Sequence, residues 1–139
     1  MPTLSKPINF QYKKVGDKTY RPIIPIELEY TNKLRYEVLY SGADVCIFDA
    51  EIAEAIGIED ITTGKPGTFT GVTGKPAAAY EHTVTIKIKN CSFRARVNFT
   101  EHIVRSGYGI VGQKGFFDRF AITFDYPGKT IVLTKKDWV

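Results

Sequence analysis

Two strictly alternating stretches joined by a short polar break restrict this chain to an antiparallel β fold. In Thr83-Val-Thr-Ile-Lys-Ile-Lys89, the residues Val84, Ile86 and Ile88 share one face while Lys87 and Lys89 share the other. After a turn at Asn90-Cys91, Phe93, Ala95, Val97 and Phe99 alternate back. A period of two is what a half-buried pleated strand requires, so the pair reads as a hairpin.

The same logic applies upstream. From Arg21 to Tyr30, Ile24, Ile26, Leu28 and Tyr30 lie on one face, with Pro25, Glu27 and Glu29 opposite. Pro22 and Pro25 cannot donate to a ladder, so this strand begins at an edge or pairs on one side only. Thr31-Asn32-Lys33 then leads into Leu34–Tyr40, which gives a first hairpin. Val45–Phe48 is a short apolar strand running into one convincing helix, Asp49–Gly57. Asp49 caps that helix, Gly57 ends it, and Ile52, Ala53 and Ile56 form its apolar face.

Between Ile61 and Ala79 the composition shifts to Gly, Thr, Pro and Lys, which predicts a mobile loop or a hairpin tip. Near the C-terminus, Tyr108–Gly112 and Ala121–Tyr126 read as strands, and Pro127-Gly128 turns the chain into Lys129–Thr134. With no βα alternation, the sequence predicts an all-β, mainly antiparallel barrel or sandwich carrying one or two short helices. A single domain over residues 1–139 is the expectation.

Composition removes several classes of function. Nineteen Lys and Arg against 15 Asp and Glu give a formal charge of +4, but the basic residues are spread rather than massed, so nucleic acid is not the expected partner. No run approaches the roughly 20 apolar residues of a membrane span, and the N-terminal residues lack a signal-peptide pattern. Cys46 and Cys91 are too few for a disulfide framework; two free thiols in a reducing cytosol, and hence a cytoplasmic protein, are the expectation. His82 and His102 stand far apart without ligand-spaced companions, so neither a metal nor another cofactor is expected. None of the four serines sits in a Gly-x-Ser-x-Gly elbow, and Gly64-x-x-Gly67 lacks the Lys-Ser/Thr ending of a phosphate loop.

The distinctive stretch is Val38-Leu39-Tyr40-Ser41-Gly42-Ala43-Asp44-Val45, in which an apolar strand enters a Ser-Gly-Ala turn. Together with Thr70-Gly71-Val72-Thr73-Gly74, and with Ile110-Val111-Gly112 followed by Gln113–Phe120, it resembles the retropepsin-like aspartic proteases. In that family an Asp-Ser/Thr-Gly-Ala turn, a glycine-rich flap tip, and an apolar-apolar-Gly segment with a short helix occur in this order. The resemblance covers about Pro25 to Thr134 and implies an acid-protease barrel with a flap near residues 64–80.

It also implies a function. The activity would be that of an aspartic endopeptidase on extended peptides. Because the turn occurs once, the enzyme would be a homodimer with its site on the two-fold axis. Tyr40, Ser41 and Gly42 occupy the catalytic motif positions: Ser41 would lock the two turns across the dimer, and Gly42 would admit the substrate backbone. Ala43 and Asp44 would meet the substrate main chain, while Gly71, Val72, Thr73 and Gly74 would close over it. In the family's pattern an Arg follows the Gly112 position and pairs with the aspartate matching Asp44; here Gln113 follows, and Arg119 is the available substitute.

The catalytic aspartate itself is missing. Read without a gap, Tyr40 takes its place; read with a gap, Val38-Leu39-Tyr40 completes the strand and one Asp is lacking before Ser41. A third reading has the residue present in altered form. Spacing leaves all three open. Two shared carboxylates are needed for hydrolysis, and a phenol with a pKa near 10 cannot replace one as base. Without the aspartate the same fold would be an inactive peptide-binding or dimerisation module. Aromatic content of 13% also leaves open a small apolar-ligand-binding β-barrel.

Overall fold

The computed structural model describes residues 7–40, 43–70, 74–103 and 108–135. Among the described residues twelve strands appear in chain order: β1 Ile8–Gln11, β2 Lys13–Lys14, β3 Tyr20–Arg21, β4 Ile23–Glu29, β5 Lys33–Tyr40, β6 Ile47–Asp49, β7 Lys65–Thr70, β8 Pro76–Ile88, β9 Cys91–Thr100, β10 Tyr108–Val111, β11 Phe120–Asp125 and β12 Thr130–Lys135. A short helix, α1 Ala50–Ala55, follows β6, and one 3-10 turn spans Ile61–Thr63.

The main sheet runs β4-β5-β10-β6-β9-β8-β7, and a further pairing of β4 with β8 closes six of these strands into a barrel. β7 extends from the rim as the outer arm of a hairpin with β8. A second sheet, β1-β12-β11, contributes Ile131 and Leu133 to the same core.

Alternation dictates the barrel wall. Val84, Ile86 and Ile88 on β8 and Phe93, Ala95, Val97 and Phe99 on β9 are all buried, as their period of two requires. The two strands pair from Tyr80↔Phe99 to Ile88↔Cys91, so the turn between them is Lys89-Asn90, one residue earlier than the sequence suggests. Lys89 takes the positive φ of 50° that so tight a reversal demands.

On β4, Ile24, Ile26 and Leu28 are buried, but Tyr30 is 52% exposed because the strand ends at Glu29. β4 pairs with β5 over its whole length and with β8 only at Glu27–Glu29, so Pro25 has a ladder on one side alone.

Asp49 caps α1, its carboxylate accepting from the Glu51 amide at 2.8 Å, and Gly57 leaves the helix end at φ 98°. Ala53 and Ile56 are buried and bring the helix onto β6 and β9. The Gly-Thr-rich region resolves into the β7–β8 hairpin, paired from Lys65↔Glu81 to Thr70↔Pro76.

The segment after Gly112 departs from its expectation. Gln113–Arg119 is a succession of turns, not a helix, with Phe117 and Asp118 amides reaching back to the Gly112 and Gln113 carbonyls. Gly115 at φ 95° interrupts the helical path that Phe116 and Phe120, four residues apart, suggest.

Candidate functional site

β10 lies between β5 and β6, parallel to β5 from Tyr108↔Glu37 to Val111↔Tyr40 and touching β6 at Ile110↔Ile47. β5 and β6 therefore do not pair with each other as a hairpin would. Residues 43–46, which lead into β6, cross the end of an intervening strand, and β10 must come from more than sixty residues downstream to fill the space.

That crossing is clamped by backbone. The Gln113 amide donates to the Ala43 carbonyl at 3.0 Å and the Lys114 amide to the Asp44 carbonyl at 2.9 Å, while Val45 bridges Lys114 in parallel. Gly112 sits so close that a Cβ there would run into the carbonyl oxygens of Ala43 and Val45. A glycine at 112 is thus a steric requirement of the site. Gly109 is comparably tight, its missing Cβ filled by the ring of Phe48. The Val45–Lys114 link was not foreseen, since only the pairing shows that these positions meet.

Tyr40 ends β5 with its side chain inside the core, 5% exposed. Its ring packs on Phe116 at 5.2 Å, Phe117 at 5.7 Å and Phe124 at 5.8 Å between centroids. Its hydroxyl is buried with no partner among the described residues. Burial pushes the phenol well above its ordinary pKa of 10.0, so it stays neutral and cannot serve as a base. Val38, two residues earlier on the same face, is fully buried as well.

Ser41 and Gly42 lie outside the described residues, as do Gly71, Val72 and Thr73, which come between β7 and β8 in the sequence. Gly74, on the descending side, has φ 75° and open space around its Cα. Ala43 is half-buried and Asp44 exposed, its carboxylate making no hydrogen bond among the described residues. Arg119 does not pair with it: the guanidinium donates to the Arg94 carbonyl at 3.1 Å and lies over the Phe93 ring.

Cys46, just past the turn, is fully buried, its thiol donating to the Lys114 carbonyl at 3.5 Å. Burial pushes that thiol up to about 11, which leaves it unreactive at neutral pH. His82 places Nε2 2.8 Å from the Ile61 carbonyl and its ring against Phe99, a structural use. Among the described residues no group of His, Cys, Asp or Glu is arranged to hold a metal ion. None of their helices is long and apolar enough to cross a membrane.

No protein-family model matches the chain, and no curated protein sequence matches it. Solved structures do. The fold is similar to that of a retropepsin-like aspartic protease from Rickettsia conorii, with TM-score 0.65 at 15% identity over 93% of this chain and 99% of that one. It is also similar to EIAV protease complexed with an inhibitor, with TM-score 0.53 at 19% identity over 72% of this chain and 88% of that one. Identities this low speak to architecture alone, and on that level this chain has the retropepsin-like fold.

Proposed function

We propose that the chain acts as a homodimer that takes an extended peptide into a cleft at the two β5–β6 crossings. It is an aspartic endopeptidase when an aspartate stands between Tyr40 and Ser41, and a binding module in the form whose sequence joins these residues directly. One observation carries the reading: Tyr40 is a core residue, buried against three phenylalanines. Side chains alternate along a strand, so with Val38 and Tyr40 inside the core and Leu39 turned outward, a residue following Tyr40 would again face away from the core. This supports Val38-Leu39-Tyr40 as the complete strand, with the cleft-facing aspartate belonging next in line.

Each subunit would supply one such carboxylate to a pair sharing a proton. The ionised member takes a proton from water while the protonated one polarises the scissile carbonyl. Ser41 would join the two crossings, Gly42 would let the substrate backbone approach, and Ala43 and Asp44 would hydrogen-bond its main chain. The β7–β8 hairpin, with Gly71, Val72, Thr73 and Gly74 at its tip, would close over the peptide as an added strand. Exposed Phe124, at 46%, lies beside Tyr40 on edge strand β11 and offers an apolar surface to a second copy.

Intact mass with fragment sequencing across residues 37–49 tests the covalent question. A mass heavier by one aspartyl residue, or by that residue less water, goes with peptide cleavage and a bell-shaped pH profile. A mass equal to the 139-residue sequence goes with binding alone. In either form, a peptide mimic of the tetrahedral intermediate raises the melting temperature of a dimer. A monomer that shows no shift at saturating mimic overturns the proposal.

A further inference from the structure

Beside the β5–β6 crossing, the outer wall of the barrel carries a groove of about 720 Å³ whose charge is strongly one-sided. Five cations line it: Lys65 from β7, Arg94 and Arg96 from β9, and Lys114 and Arg119 from the turns after Gly112. Only two carboxylates, Glu81 and Asp118, oppose them. The strand pattern forces this display. Phe93, Ala95 and Val97 are buried, so Arg94 and Arg96 must point outward, and the register Thr83↔Arg96 sets them beside β8.

Little of this charge is spent within the molecule. Glu81 is 4.0 Å from Arg96, and Arg119 is occupied by the Arg94 carbonyl and the Phe93 ring. Lys65, Arg94 and Lys114 have no side-chain partner among the described residues. The groove is continuous with the crossing through Val45, which lines it and follows Asp44 directly. Chain leaving the cleft past Asp44 would meet Val45 and then the cations.

We propose that this groove docks an acidic segment of the polypeptide whose neighbouring residues occupy the cleft, so that ligands are selected for Asp and Glu flanking the bound stretch. The proposal rests on the cleft reading above. A polypeptide fits the groove better than a nucleic acid does, because no aromatic side chain lines it for base stacking.

The test uses fluorescence anisotropy on the full chain at about 50 mM salt, where surface charge is weakly screened. The probes are a rhodamine-labelled Glu-rich peptide and its Gln counterpart. The Glu peptide should bind at least about tenfold more tightly. Arg94→Gln combined with Lys114→Gln should abolish that preference, while Lys33→Gln combined with Lys87→Gln, an equal charge change on other strands, should leave it intact. The charge-preserving pair Arg94→Lys and Lys114→Arg should retain it, and unchanged melting temperatures establish that all variants fold.

No preference for the Glu peptide, equal loss in both Gln pairs, or equally effective displacement by oligouridylate overturns the inference. A tetrahedral-intermediate mimic in parallel separates it from the cleft reading. If the mimic binds while Glu and Gln peptides bind alike, the groove proposal fails and the cleft stands. Groove-dependent Glu binding without mimic binding leaves an acidic-peptide site and removes the cleft.

Discussion

The ring of Tyr40 lies 5.2 Å from that of Phe116, tilted by 46°, so the last residue of β5 is packed against the turns that follow Gly112. This contact joins the two segments that frame the crossing. It also makes position 40 part of the core, where any group placed there answers to packing before chemistry.

Exchanging Tyr40 for Asp should therefore fail to create a protease. It would remove the aromatic contacts and bury a carboxylate with no counter-ion, at a cost on the order of 3–5 kcal/mol. Inserting an Asp between Tyr40 and Ser41 should preserve the core and confer cleavage of a fluorogenic peptide. Activity from the exchange, or none from a folded, dimeric insertion variant, would count against the proposed position.

Tyr40→Phe isolates the hydroxyl. That oxygen is buried without a partner among the described residues, and an unsatisfied buried polar group costs about 1–3 kcal/mol. The variant should be equally or more stable, by up to about 1 kcal/mol, in urea unfolding. A clear loss would mean that the phenol has a hydrogen bond the fold depends on.

Much of this arrangement is readable from alternation. The β8–β9 hairpin, the buried face of β4 and the capped helix α1 each follow from local pattern, because the residues that decide them are neighbours in sequence. The insertion of β10 between β5 and β6 is not readable in that way, since its partners are more than sixty residues away and parallel pairing leaves no turn signal. Phe116 and Phe120 have helical spacing, but one positive-φ glycine between them, Gly115, redirects the chain. Tyr30 continues an alternating pattern one step past the end of its strand. In the candidate site, the Ser-Gly-Ala-Asp motif pointed to the crossing, whereas the groove cations come from three segments and only the register assembles them.

Gly112→Ala tests the clamp. The added methyl would meet the carbonyls of Ala43 and Val45, both fixed by backbone contacts to Gln113 and Lys114 and unable to rotate away. Overpacking of this kind costs about 1–3 kcal/mol. The melting temperature should fall, and binding of the peptide mimic should weaken more than it does for a comparably destabilising core variant on another strand, such as Ile86→Val on β8.

Alkaline pH should loosen the fold from a definable point. The Cys46 thiol is protonated in the folded chain up to about 11, against 9.0 for an unperturbed thiol, because burial penalises the thiolate. Its stabilising effect is intact below pH 9 and is lost as the pH rises towards 11, since the unfolded chain then releases a proton that the folded chain retains. The loss is on the order of 2–3 kcal/mol. Tyr40, also raised by burial, adds to it above pH 10. In urea titrations across this range, Cys46→Ala should show a shallower decline than the parent; an identical slope would remove the thiol as its cause.

Phe124 provides the test of assembly. It is 46% exposed on edge strand β11, yet its ring touches Tyr40 edge-on at 5.8 Å, which places a large apolar group at the surface next to the crossing. One side of the ring packs on Tyr40, and a second copy related by a two-fold axis would cover the exposed side and bring the two crossings together. Phe124→Lys should shift the sedimentation profile from dimer to monomer. Binding of the peptide mimic should fall in step, because half a cleft holds too little of an extended chain. A monomeric parent protein would sink the dimer outright, and a variant that stays dimeric would move the interface away from β11.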